Sequence, residues 1–184
     1  MSSSTEHDTG PKSEILSEFH LELDILKQIV LFQNLEHECL KLIAIICKQV
    51  CFLPDENLMI QGEEGEKAFY IISGGVAALH TTGGVEHIIR HYGQGDFIGG
   101  GLLLGKIQHN FTLRTREKTT ALCLKRSEFL KVLELFPSSF AKVTGKLIRE
   151  LVKWDNKLLA RQLAKQGDAG ESDDDSCTPG VSLI

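Results

Sequence analysis

"PDENLMIQGEEGEKAFYIISGGV", residues 54–76, decides the fold. Pro54 stops the helical pattern that precedes it, because its ring removes a donor and crowds the preceding turn. Beyond it the apolar residues fall into short runs, 58–61, 68–73 and from 76 onward, punctuated by Gly62, Gly65 and the Gly74–Gly75 pair. Short apolar runs closed by glycine read as strands.

The same rhythm continues outward. Further runs at 76–81, 86–91, 97–98, 111–115 and 120–125, with 51–53 in front, bring the expected strands to eight. "TTGGVE" between two of them predicts a hairpin, since paired glycines accept positive φ. Upstream, Ile15, Leu16, Phe19, Leu23 and Leu26 form one apolar stripe behind Ser13, an expected N-cap. A second helix is expected over 36–49 with Leu40, Ile43, Ala44 and Cys47 inward, and Leu31 and Phe32 anchor the link. Downstream, Ser127 is expected to cap a short helix that ends before Pro137. Ser138 or Ser139 then opens a longer one, with Phe140, Val143, Leu147, Leu151, Trp154 and Leu158 on one side. The fold class is therefore α+β: an eight-stranded antiparallel β-roll, or jelly roll, flanked by N-terminal and C-terminal helices. The expected divisions are a disordered tail 1–13, helices 14–50, the roll 51–126, helices 127–166 and a disordered acidic tail 167–184.

Composition narrows the function. The chain has 184 residues, a net charge of −5 and 42% apolar residues. That charge argues against nucleic acid, whose binders show a basic stripe. No apolar run nears the roughly 20 residues of a membrane span, and the polar start predicts no signal peptide. Cysteines 39, 47, 51, 123 and 177 lack metal-ligand spacing and read as reduced thiols. On a regular strand His87 and His91 share one side, near His80, yet no carboxylate follows at useful spacing, so no metal is expected. No Ser–His–Asp or Cys–His set has a supporting elbow, so no enzyme is expected. The last residues, Ser182, Leu183 and Ile184, resemble a PDZ-domain ligand.

Residues 54–76 resemble the opening signature of the cyclic-nucleotide-binding domain. Pro54, Glu56, Leu58, Met59, Gly62, Glu63, Phe69, Tyr70, Ile72 and Gly74 match it, and Asp55 stands where the family has glycine. "TTALCLKRSEFLKVLELFP" is similar to the family's last strand and short helix. "ILKQIVLFQNLEHECLKLIAIICKQV" resembles the approach to this domain in hyperpolarization-activated and cyclic-nucleotide-gated channels. A sodium/proton exchanger carrying the same domain is a second candidate host. The resemblance implies a regulatory domain on the cytoplasmic face of a larger membrane protein, with a homotetramer formed through the parent channel.

The resemblance also places a phosphate-binding cassette at 95–113, "GDFIGGGLLLGKIQHNFTL". Ile98 takes the family's phenylalanine, Gly99 keeps its glycine, and Gly100 takes the glutamate that holds the ribose. After Gly101, Leu102, Leu103 and Leu104 make the family's short apolar helix. His109, followed by Asn110, takes the arginine that pairs with the cyclic phosphate. Glu150, Lys153 and Trp154 fall on the helix that closes over the base. Arginine suits phosphate because its charge is permanent and its donors are forked; imidazole is mostly neutral at pH 7. Losing two charged hydrogen bonds costs about 3–6 kcal/mol, roughly a hundred- to ten-thousand-fold in affinity. The expectation is a degenerate pocket that binds cAMP or cGMP weakly or not at all. Any such weak binding through His109 is expected to rise as pH falls. The alternative is a working sensor that uses Lys106, Arg114 or Arg90 in place of the missing arginine.

Overall fold

The computed structural model describes residues 11–167, with side chains described for 19–150, 152 and 153. The expectations for both tails, the PDZ-like terminus, Cys177, and the side chains of Ile15, Leu16, Leu151, Trp154 and Leu158 lie outside those residues.

Helices α1 (Pro11–Gln28) and α2 (His37–Ile46) are joined by a 3-10 turn, Val30–Phe32. Helix α1 thus begins ahead of Ser13, within the segment expected to be tail. Helix α2 stops short of the expected 49. The Cys47 N–H caps it on Ile43 and Ala44 carbonyls, and strand β1 (Lys48–Phe52) begins at once. Pairing of β1 with β10 (Thr119–Lys125) outweighs two more helical residues, because the backbone groups of β1 that face β10 find partners there.

Strands β2 (Asn57–Met59), β4 (Lys67–Ser73), β5 (Gly75–Thr82), β6 (Val85–Gly93), β7 (Phe97–Ile98) and β9 (Thr112–Thr115) complete two four-stranded antiparallel sheets, ordered β1-β10-β4-β7 and β2-β9-β5-β6. Two short strands went unread in the sequence, β3 (Glu64–Gly65) and β8 (Ile107–Gln108), which pair only with each other. The expected hairpin is present. Gly83 and Gly84 link β5 to β6 with φ of 59° and 81°, the two-residue turn that matches strand twist. Asp55, the departure from the family glycine, holds φ 66°, a region aspartate tolerates better than most residues.

Alternation along β4 and β10 divides the core in two. Phe69, Ile71, Ala121 and Cys123 face the roll interior with Met59, Leu102 and Leu113. Ala68, Tyr70, Leu122 and Leu124 face the other way, onto Leu26, Phe32, Ile43, Phe129 and Val143. A sheet buried on both faces explains the unbroken apolar runs "AFYII" and "ALCL".

Helices α3 (Arg126–Leu135) and α4 (Pro137–Gly167) pack on that second face. Lys125 rather than Ser127 takes the N-cap position of α3. Pro137 opens α4, where its fixed φ and missing N–H cost nothing, so Ser138 and Ser139 lie inside the helix. Ser138 Oγ donates to Glu36. Phe140, expected inward, is 45% exposed, whereas Val143 is fully buried.

Candidate functional site

The cassette starts on a glycine that nothing else can replace. Gly99 has φ 83°, and a Cβ there would lie 2.9 Å from the Lys67 carbonyl oxygen. It launches a 3-10 turn, Gly100–Leu103, whose residues scatter. Ile98 and Leu102 are buried in the roll interior. Leu103 is buried on the helical side, and Gly101 is buried as well. Gly100 is half-buried, and an added Cβ there would sit 3.1 Å from Phe97 and 3.4 Å from Leu31.

His109 lies elsewhere. Its backbone is held by a ladder, with its N–H donating to Glu63 at 2.9 Å and its carbonyl accepting from Gly62 at 2.8 Å. Its ring is 9% exposed and lies, with Leu102, over Gly65. A Cβ on Gly65 would come 2.7 Å from His109 Cε1 and 2.6 Å from Leu102 Cδ2. Gly65 was read as turn punctuation; its actual service is to leave room for these two side chains. Burial pushes the His109 pKa down, with Glu63 pulling modestly the other way. The ring is therefore neutral at pH 7.

The two positions that should grip one ligand border different spaces. A groove of about 510 Å³ is lined by Gly99, Gly100, Gly101 and Ile98, and by Arg90, Asp96 and Glu150. A smaller one of about 280 Å³ holds His109, under Glu63, Glu64, Glu66 and Lys67. Asn110 is exposed and belongs to neither. Glu150, expected as part of a lid, borders the same groove as the glycine turn, with Lys153 paired to it at 2.8 Å. Trp154 lies outside the described side chains. The three cations offered as replacements are apart as well. Arg114 holds Glu86 with two 2.8 Å bonds and Asn57 with a third at 3.0 Å. Lys106 stands 3.8 Å from Glu64. Arg90 lies 4.7 Å over the Tyr92 ring and borders the larger groove.

Sequence reasoning missed Arg126, the residue that ties this region together. It is 9% exposed. Its Nη1 donates to the Gly65 and Gly105 carbonyls, each at 2.8 Å, and Nη2 donates to Glu64 at 3.0 Å. The β3–β8 ribbon and the cassette loop thus hang on the first residue of α3. The available signal was an arginine directly after an apolar strand, "LCLKR". Arg126→Ala leaves two carbonyls without their charged donor, so a loss of about 2–4 kcal/mol is expected in urea unfolding, with Arg126→Lys recovering only part because lysine lacks the fork.

Comparison with known proteins agrees with this architecture. The family profile described as cyclic nucleotide-binding domain matches residues 49–135. Potassium channel AKT2 of Oryza sativa subsp. japonica is 23% identical over 155 residues, 84% of this chain and 18% of its own length. The cGMP-dependent protein kinase egl-4 of Caenorhabditis briggsae is 30% identical over 127 residues, 68% of this chain and 16% of its own. The chain therefore spans under a fifth of these relatives. Among solved structures, the C-linker/CNBHD of zELK channels, crystallized in the presence of cAMP, superposes with a TM-score of 0.60 at 23% identity. That match covers 78% of this chain and 75% of that one. The N-terminal domain of a transcriptional regulator from Streptomyces coelicolor A3(2) gives a TM-score of 0.66 at 20% identity, covering 73% and 95%. Sequence signature, two-sheet roll and flanking helices converge: residues 49–135 belong to the cyclic nucleotide-binding domain family, in a form similar to the regulatory domains of channels.

Proposed function

We propose that the chain is the cytosolic regulatory module of a voltage-gated cation channel of the hyperpolarization-activated and cyclic-nucleotide-gated type, and that it takes cAMP or cGMP weakly or not at all. It acts by conformational bias on the parent membrane protein rather than by catalysis. Homotetramer formation through that parent, and PDZ recognition of the terminal Ser182, Leu183 and Ile184, belong to the same proposal.

One observation carries the weak-binding reading: a neutral, buried His109 packs with Leu102 over Gly65 and borders a different groove from Gly100. The space around His109 is lined by Glu63, Glu64, Glu66 and Lys67 with no arginine among its lining residues, and the nearby Arg126 is committed to Glu64 and two backbone carbonyls, so no forked cation there meets a phosphate. A ligand shifts a conformational equilibrium only by its differential affinity for the two states, and here little affinity remains to divide.

Calorimetric titration of cAMP and of cGMP at pH 7.5 is expected to show no saturable binding in the micromolar range; micromolar binding overturns the reading. Acid is a poor remedy. The folded-state pKa of His109 lies below its ordinary 6.5, so the unfolded chain binds the proton first. The stability this group contributes is full above pH 6.5 and falls as pH drops toward the folded value. Titration at pH 6.5 is accordingly expected to look like that at 7.5.

The alternative, a working sensor in a channel or a sodium/proton exchanger, draws on Arg90, the cation that borders the glycine-turn groove. It requires binding that Arg90→Ala abolishes.

A further inference from the structure

The histidines of the β5–β6 hairpin are arranged differently from a regular strand. Pairing runs His80↔His87, Leu79↔Ile88, Ala78↔Arg90 and Ala77↔His91, so Ile89 is an extra residue on β6. A bulge of one residue reverses which face the following side chains occupy. His87 and His91 therefore do not share a side. His87 faces with His80, its direct cross-strand partner, and His91 contacts Arg116 at 3.3 Å.

Directly opposed residues in an antiparallel pair hold their Cβ atoms about 4.5–5.5 Å apart. Two imidazoles at that spacing can converge on one ion at the usual Zn–N distance of about 2.0–2.1 Å. Both His80 and His87 are exposed, so no desolvation opposes an incoming ion. A second observation concerns the tautomer. His80 Nδ1 lies 3.0 Å from the Asn110 carbonyl oxygen. A carbonyl only accepts, so Nδ1 carries the hydrogen and Nε2 keeps its lone pair. That is the arrangement that orients a metal-ligating histidine, with the other ring nitrogen donating to a backbone carbonyl.

We propose that His80 and His87 form a two-imidazole site for a borderline divalent transition metal such as Ni²⁺, Cu²⁺ or Zn²⁺. Among the described residues no group of three or more histidines, cysteines or acids is placed to hold a metal. Water completes the coordination, and the site is open. Imidazole suits these metals over Mg²⁺ or Ca²⁺. The ion would fasten the two strands near their turn. Through the His80–Asn110 bond it would also steady the chain directly after His109.

The test is titration of the ¹⁵N-labelled full chain with NiCl₂, read as paramagnetic broadening of amide signals. Broadening is expected to be saturable and centred on His80, His87 and the turn at Gly83 and Gly84. His80→Ala and His87→Ala should each weaken binding about tenfold or more, with metal-free spectra confirming the fold. His91→Ala should leave affinity unchanged, and CaCl₂ should produce no shifts at these residues. Broadening centred on His91 or Cys51, or affinity unaltered by either of the first two variants, overturns the proposal.

Discussion

Leu102→Ala is expected to cost about 4–5 kcal/mol, the upper end of the range for a buried leucine. The cost of such a truncation depends on how far the neighbours can fill the void. Leu102 is fully buried and rests between two glycines. A Cβ at Gly65 would lie 2.6 Å from its Cδ2, and one at Gly99 would lie 3.1 Å from its Cδ1. Glycines have no side chain to move inward, so the void persists. The same geometry predicts strong coupling. Gly65→Ala alone overpacks the site and should lose about 1–3 kcal/mol. Combined with Leu102→Ala, the new methyl loses its clashes with both Leu102 methyls and keeps only that with His109 Cε1, so the double variant should be more stable than the sum of the single losses implies. Chemical denaturation of the four proteins measures this, and strict additivity would remove Leu102 from its place over Gly65.

Phe32→Ala is expected to lose about 3–5 kcal/mol by the same measurement. Phe32 is fully buried. Its ring meets Phe97 edge-on at 5.6 Å and Phe129 at 5.7 Å. One side chain thus joins the N-terminal approach, the strand that enters the cassette, and helix α3. Phe32→Leu should cost clearly less because it preserves most of the volume. If truncation proves nearly neutral, the N-terminal helices are not seated on the roll as described.

Much of this frame was legible in the residues. Glycine punctuation and apolar runs marked the eight strands of the two sheets. Leu31, Phe32, Val143 and Leu147 were recognisable as packing positions. What failed has identifiable causes. Strands β3 and β8 are two residues each, "EG" and "IQ", too short for any period to appear. The early end of α2 depended on β10, which lies far along the chain. Strand parity misplaced His91 because a bulge leaves no local mark. At the candidate site, motif alignment put Gly99 at the family's glycine and Leu102 and Leu103 in its apolar segment; Gly99 has φ 83° and both leucines are fully buried. It also assigned Gly100 and His109 to one pocket, whereas they line different grooves. Their separation arises from the direction of the chain around the turn, which a residue string does not encode.

The strands β4 and β10 are walls for both cores at once. Neither the interior of the roll nor the helical layer has a partition of its own. A helix pulled away on one side would strip the backing from Tyr70, Leu122 and Leu124, and with it the tension that keeps Phe69, Ile71, Ala121 and Cys123 in line. Force applied to the first helices would arrive in the roll as a flexing of one shared diaphragm. The helical layer and the cassette can then be coupled mechanically without any small molecule between them.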